Sequence, residues 1–135
     1  MVVVDTSVAY KWFSPEKEEL LPQALAIFEN SDSIVAPDLI IYELANAWAT
    51  KTKLTFSEIK VFLKDLESTG IKFETISFEL VLKAIDFSKK FRVSVYDAAY
   101  AVLAKEKGCD FYTADSKFVK AVNLPFVKHL SDYPS

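Results

Sequence analysis

The chain has 135 residues, 51% of them hydrophobic, with a formal net charge of −3 and a pI of about 5.2. That length suits one domain, residues 1–135, with a real core; the apolar content excludes disorder, and no uncharged run reaches the roughly eighteen residues of a membrane span. An acidic balance without a broad basic surface gives no compositional sign of nucleic acid, although a net negative charge also follows when several acids are concentrated in one metal site.

Single residue types narrow the classes further. One cysteine, Cys109, excludes internal disulfides and a Cys-rich zinc site; its place in the apolar run CDFYT suits a core thiol. The only glycines, Gly70 and Gly108, stand at helix ends, so neither a P-loop nor a Rossmann fingerprint can be built. Of the sixteen cations fifteen are lysine, gathered at Lys51 and Lys53, at Lys89, Lys90 and Arg92, and at Lys117 and Lys120; such groups read first as solvated faces. The opening MVVVD meets a carboxylate at position 5, unlike a signal peptide or a basic transit segment. The expectation is a soluble, cytoplasmic protein with no membrane association.

The elements alternate along the chain. Val2–Val4 reads as a short buried strand, then DTS leads into a helix-like VAYKWF. A helix follows around Pro22–Glu29, with Pro22 tolerable only in its first turn. Ile34–Ala36 reads as a second strand stopped by Pro37. Two helices occupy about Asp38–Lys51 and Ser57–Glu67, the second opened by the capping box Thr55-Phe-Ser-Glu58. Lys72–Ile76 is a third strand and Ser77–Phe91 a helix with apolar Phe78, Val81, Leu82 and Ile85. A helix begins near Ser94 and ends at Gly108. The strand CDFYT, a short helix near Ser116–Val122 and a last strand around Phe126–His129 complete the order. Strands alternating with helices predict an α/β fold with a parallel sheet covered on both faces.

Four acids stand against this pattern. Asp5 directly follows the first strand, and Asp115 directly follows CDFYT; ligands of parallel sheets bind at the carboxyl ends of strands. Either acid could instead cap the helix after it. Asp97 sits in the first turn of an otherwise apolar stretch, Val93 to Ala104. The Ser94–Asp97 spacing of a capping box and the helix dipole give it an ordinary explanation. Glu43 has none: it lies mid-helix in LIIYELANAWA, sharing a face with Asn46, with no Arg or Lys within a turn. The bland reading is a buried salt bridge to a distant lysine. Brought together, Asp5, Glu43, Asp97 and Asp115 would repel and raise one another's pKa, which a carboxylate-preferring Mg²⁺ or Mn²⁺ would resolve. His129, the single histidine, lies near the terminus, so no Ser-His-Asp triad, two-histidine nuclease or His-rich zinc site is available.

The ordered set VVVDTS, the Glu near position 43, SVYDAAY at 94–100 and YTAD at 112–115 resembles the PIN domains, and the length resembles their VapC toxins of type II toxin–antitoxin pairs. The likeness spans essentially the whole chain. It implies a three-layer α/β/α sandwich with a central parallel sheet and Mg²⁺- or Mn²⁺-dependent ribonuclease activity. It carries the acidic quartet to Asp5, Glu43, Asp97 and Asp115, with Ser7 and Thr113 at supporting polar positions. Some relatives carry a further acid shortly after T-x-D, where Ser116 and Lys117 stand here. Homodimers and inhibition by a VapB-like antitoxin are also implied.

The residue types then suggest RNA hydrolysis by water activated at a metal. Asp5, Asp97 and Asp115 would be the main ligands, and Glu43 would bind a second metal or orient the water. Two alternatives belong to other classes. A phosphoaspartyl phosphatase could use Asp5 as nucleophile, although residue 7, where such enzymes place a second Asp, is Ser. A catalytically silent PIN-like interaction module would use the apolar content for partner binding. Trp12, Phe13 and the Tyr42–Trp48 region are candidates for dimer or antitoxin contact, or for plain core.

Overall fold

The computed structural model describes residues 1–14 and 18–135. Five strands, β1 (Val2–Val4), β2 (Ile34–Pro37), β3 (Lys72–Glu74), β4 (Asp110–Thr113) and β5 (Val127–His129), form one sheet in the order β3-β2-β1-β4-β5. Every pairing is parallel. Seven α-helices among the described residues connect and cover them: α1 (Thr6–Phe13), α2 (Leu21–Asn30), α3 (Leu39–Thr50), α4 (Phe56–Glu67), α5 (Phe78–Phe91), α6 (Val95–Lys107) and α7 (Ser116–Val122). The result is the three-layer α/β/α arrangement with a central parallel sheet that the alternation predicts.

The strand order fixes where chemistry can gather. From β1 the chain first builds outward through β2 to β3, then returns across the sheet to lay β4 on the other side of β1. The reversal lies between β1 and β4, whose register pairs Val4 with Tyr112. Helices leaving the carboxyl ends of these neighbours diverge, and the crevice between them is where such sheets bind ligands. Asp5 is the residue after β1, while Thr113 ends β4 and Asp115 follows two residues later.

The helix α6 packs over β1, β2 and β4 and carries α5 against it. Sandwiched this way it is covered all round, with every residue from Ala98 to Ala104 buried, which explains its nearly unbroken apolar sequence. It stops at Gly108, whose φ of +64° costs nothing without a Cβ.

Several details differ from the sequence expectation. Pro37 is the last residue of β2 rather than its terminator; its missing N–H is tolerated at the strand's end, where no further ladder bond is needed. The third strand ends at Glu74, two residues early, and Leu130–Asp132 adds a 3₁₀ turn stabilised by the His129 ring accepting from the Ser131 N–H. Cys109 is only half-buried.

The aromatic residues named as contact or core candidates divide by exposure. Trp48 is buried, Phe13 packs edge-on against it at 5.6 Å, and the Trp12 indole donates to the Ala24 carbonyl at 2.7 Å. These rings join α1 to its neighbours, with Trp12 and Phe13 half-buried; Tyr42 alone in this group is strongly exposed.

Candidate active site

Asp5 occupies the N-cap of α1, yet its carboxylate caps nothing. Its oxygens turn to side chains instead. The Ser7 hydroxyl donates to Oδ1 at 2.5 Å and the fully buried Thr113 hydroxyl donates to Oδ2 at 2.6 Å. Both hydroxyls are oriented from behind: Ser7 Oγ accepts the Ala114 N–H at 2.9 Å and Thr113 Oγ1 accepts the Asp115 N–H at 3.1 Å. With their acceptor sides occupied, each directs its single proton at Asp5. Burial nevertheless prevails, raising the Asp5 pKa to about 6 despite these donors, with the charge of Asp97 adding to the rise.

Asp97 lies half-buried in the first turn of α6. The Ser94 hydroxyl accepts the Asp97 N–H at 3.0 Å, so half of the expected capping box is present, made by Ser94. Desolvation raises the Asp97 pKa, and the negative charges of Asp115 and Glu43 push the same way. Asp115, exposed at the N-cap of α7, accepts the Phe118 N–H at 3.1 Å. One of its oxygens therefore does the ordinary work of a cap.

Glu43 projects from the middle of α3, half-buried. Among the described residues no lysine pairs with it, and its partners are neutral hydroxyls. Thr6 donates to Oε1 at 3.1 Å, and Tyr100 of α6 donates to the same oxygen. Burial, followed by the bond to Glu43, raises the Tyr100 pKa and keeps the phenol a donor. Asn46 is exposed and joins no side-chain hydrogen bond with this set among the described residues.

Thr6 and Tyr100 are the polar contributors the sequence did not flag. Thr6 looked like part of a cap, and Tyr100 like one more ring in an apolar run. Asp38, at the N-cap of α3, makes no side-chain cap bond, because its backbone enters in a helical conformation. His129 reaches the same sheet edge with its ring against Ser131 Oγ at 2.7 Å and the Ala114 carbonyl at 3.3 Å.

The four acids thus lie within mutual electrostatic influence through Asp97. No group of three or more His, Cys, Asp or Glu among the described residues is drawn close enough to grip an ion directly. The five ion pairs among those residues use Glu18, Glu79, Glu106, Glu74 and Asp110, and none involves the quartet.

The PIN domain family model matches residues 2–124. The chain belongs to the PIN-domain family. No curated protein matches this PIN domain in sequence. Among solved structures it is similar to Mycobacterium tuberculosis VapC20, described as a sarcin-ricin loop cleaving toxin, with a TM-score of 0.74 and 16% identity over 99% of this chain and 100% of the other. It is also similar to a chain of a toxin–antitoxin complex from Klebsiella pneumoniae, with a TM-score of 0.74 and 15% identity over 96% and 98% of the two chains. A chain of FitAB bound to a DNA fragment gives a TM-score of 0.70 at 15% identity, over 100% and 99%. At these identities the likeness establishes the PIN fold.

Proposed function

We propose that this PIN domain is a metal-dependent endoribonuclease, the toxin of a VapBC-type pair, hydrolysing RNA phosphodiester bonds through Asp5, Glu43, Asp97 and Asp115. The observation that carries the reading is a set of like charges at the switch point of the sheet, none with a cation partner among the described residues. What sets these acids apart is burial together with mutual repulsion: Asp5 is buried and Asp97 and Glu43 are half-buried, and the charge of Asp97 bears on Asp5 as those of Asp115 and Glu43 bear on Asp97.

The donor set fits Mg²⁺ or Mn²⁺: every candidate ligand is a carboxylate oxygen, and Mg²⁺ characteristically keeps several waters beside one or two carboxylates. Asp5, Asp97 and Asp115 would hold the ion, with Glu43 at a second ion or a water. A bound divalent ion supplies charge neutralisation at the phosphate and activation of water. The chain's own contribution is orientation. Ser7 and Thr113 fix the plane of Asp5, and the first turns of α6 and α7 present Asp97 and Asp115.

A phosphoaspartyl route has less support, since both oxygens of Asp5 already take hydroxyl donors and Ser7 is one of them. The decisive experiment incubates purified protein with single-stranded RNA in Mg²⁺, in Mn²⁺ and in chelator. Cleavage confined to the metal arms supports the reading. Cleavage that survives chelation rejects it, and no metal binding by titration leaves a silent PIN-like module.

Toxin–antitoxin complexes among the structural neighbours support a VapB-like antitoxin as protein partner. No helix among the described residues is long and apolar enough to cross a membrane. For the homodimer, α5 offers a better surface than the rings of α1. Besides its inward face it bears an outward stripe of Phe78, Leu82 and Ile85, with Phe78 95% exposed, at the i, i+4, i+7 spacing of a helix-packing ridge. Glu79 lies in its first turn and Lys89 and Lys90 in its last, so two copies antiparallel about a two-fold axis set acids beside lysines. Leu82→Glu should convert a dimeric mass in solution to a monomeric one; a monomeric wild type at micromolar concentration rejects the dimer.

A further inference from the structure

We infer that Tyr100, together with Thr6, is a positioning residue that reserves one oxygen of Glu43 for the reaction. This rests on the metal-nuclease reading of the site. Oε1 of Glu43 receives the hydroxyl protons of both Thr6, at 3.1 Å, and Tyr100. An ionised carboxylate can only accept, so the phenol proton lies on the Tyr100–Glu43 line. The two hydroxyl oxygens also stand 3.4 Å apart, closing a three-membered polar cluster. No donor to Oε2 is found among the described residues. The carboxylate is thereby divided: Oε1 is committed to the protein, and Oε2 is the oxygen left for a water or an ion.

The clamp is rigid because Tyr100 is. Its ring is 1% exposed and stacks on Phe111 of β4 with centroids 5.9 Å apart and planes 14° from parallel. The phenol oxygen is therefore fixed by the sheet. Thr6 is fixed by the first turn of α1, directly after Asp5. A glutamate in mid-helix ordinarily samples several rotamers; two donors converging on one oxygen select one of them. Three elements far apart in sequence, α1, α3 and α6, meet at this carboxylate, with 57 residues separating Glu43 from Tyr100.

Tyr100→Phe tests the clamp while keeping the stacked ring. Its Mn²⁺ affinity, read by calorimetry, should fall about 10- to 100-fold, the usual cost of losing a partner that orients a ligand. In RNA cleavage kcat should fall in the same range with KM unchanged. On a Glu43→Ala background the same substitution should change neither quantity, because Tyr100 acts through Glu43. Thr6→Val should reproduce a smaller loss and serves if Tyr100→Phe does not fold. Unchanged Mn²⁺ affinity in both variants overturns the inference, and so does an equal loss with and without Glu43. If wild type binds no Mn²⁺, the nuclease reading fails separately. Melting points of the four metal-free proteins then decide the clamp: coupling between positions 43 and 100 sustains it, and strict additivity ends it.

Discussion

The two ends of β4 treat the same residue type in opposite ways. At its amino end Asp110 is met by Lys128 of β5 at 2.9 Å, both side chains well exposed. Beyond its carboxyl end Asp115 has no cation partner among the described residues, and Thr113 turns its hydroxyl towards Asp5, a second acid without one there. The first arrangement is ordinary surface electrostatics and is worth little to stability. The second leaves like charges acting on one another at the carboxyl edge of the sheet. The same strand thus has an acid paired with lysine at one end and, five residues on, an acid with no ion pair among the described residues at the edge where the strand order reverses.

The largest expected effect breaks the second arrangement. Asp5→Asn, Asp97→Asn and Asp115→Asn should each lower metal-dependent RNA cleavage by at least about a hundredfold, whereas Asp110→Asn should leave the rate within about twofold. Rates measured in parallel on one RNA check this, and a wild-type rate in any of the first three removes that acid from the site.

Acid titration of the metal-free protein separates the two ends next. Below pH 3.8 the Asp5 carboxyl is protonated both folded and unfolded and adds nothing. As pH rises towards the folded value of about 6, the unfolded chain has released its proton while the folded protein retains it. Stability should therefore fall with rising pH across this window, by on the order of 3 kcal/mol in total. Denaturant melts between pH 4 and 7 read the slope. In Asp5→Asn this contribution should vanish; an identical slope in that variant assigns the pH dependence elsewhere.

Melting with and without metal gives a comparable effect of opposite sense. Metal-free Asp97→Asn should melt above wild type, since it relieves repulsion with Asp5, Glu43 and Asp115. Mn²⁺ should then reverse the order, because wild type gains about 2.7 kcal/mol at a hundredfold excess over Kd and the variant less. Equal metal-induced shifts in the two proteins would make Asp97 a helix-start residue only.

The smallest effect belongs to the paired end. Lys128→Met should cost at most about 1 kcal/mol and leave cleavage untouched. A larger loss in urea melts would mean that the Asp110 pair matters more than its exposure indicates.

The fold was legible because its elements are short and their punctuation is local. Thr55 and Glu58 do form the reciprocal capping box, and Gly108 does end α6. Where the reading slipped, the deciding partner lay elsewhere in the chain: Pro37 stays in β2 because β3 pairs alongside it. The unusual setting of the acids was visible as carboxylates in apolar surroundings. Their hydroxyl partners were not, because a threonine at a helix start and a tyrosine in an apolar run have sufficient local explanations. Only the meeting of α1, α3 and α6 gives Thr6 and Tyr100 a second purpose. The same limit applies to Trp12 and Phe13, whose aromatic character says nothing about which neighbour will cover them.

The bond from Thr113 to Asp5 joins residues 108 positions apart, and this has a consequence for biosynthesis. The first strand made is the central one, and it waits beside β2 until β4 arrives to flank it. Until Thr113 has been added, Asp5 lacks the second of its two orienting hydroxyls, and Asp115 does not exist. Contacts of this span form late and slowly. On the proposed nuclease reading, the acidic set is complete only once the chain has been made through Asp115.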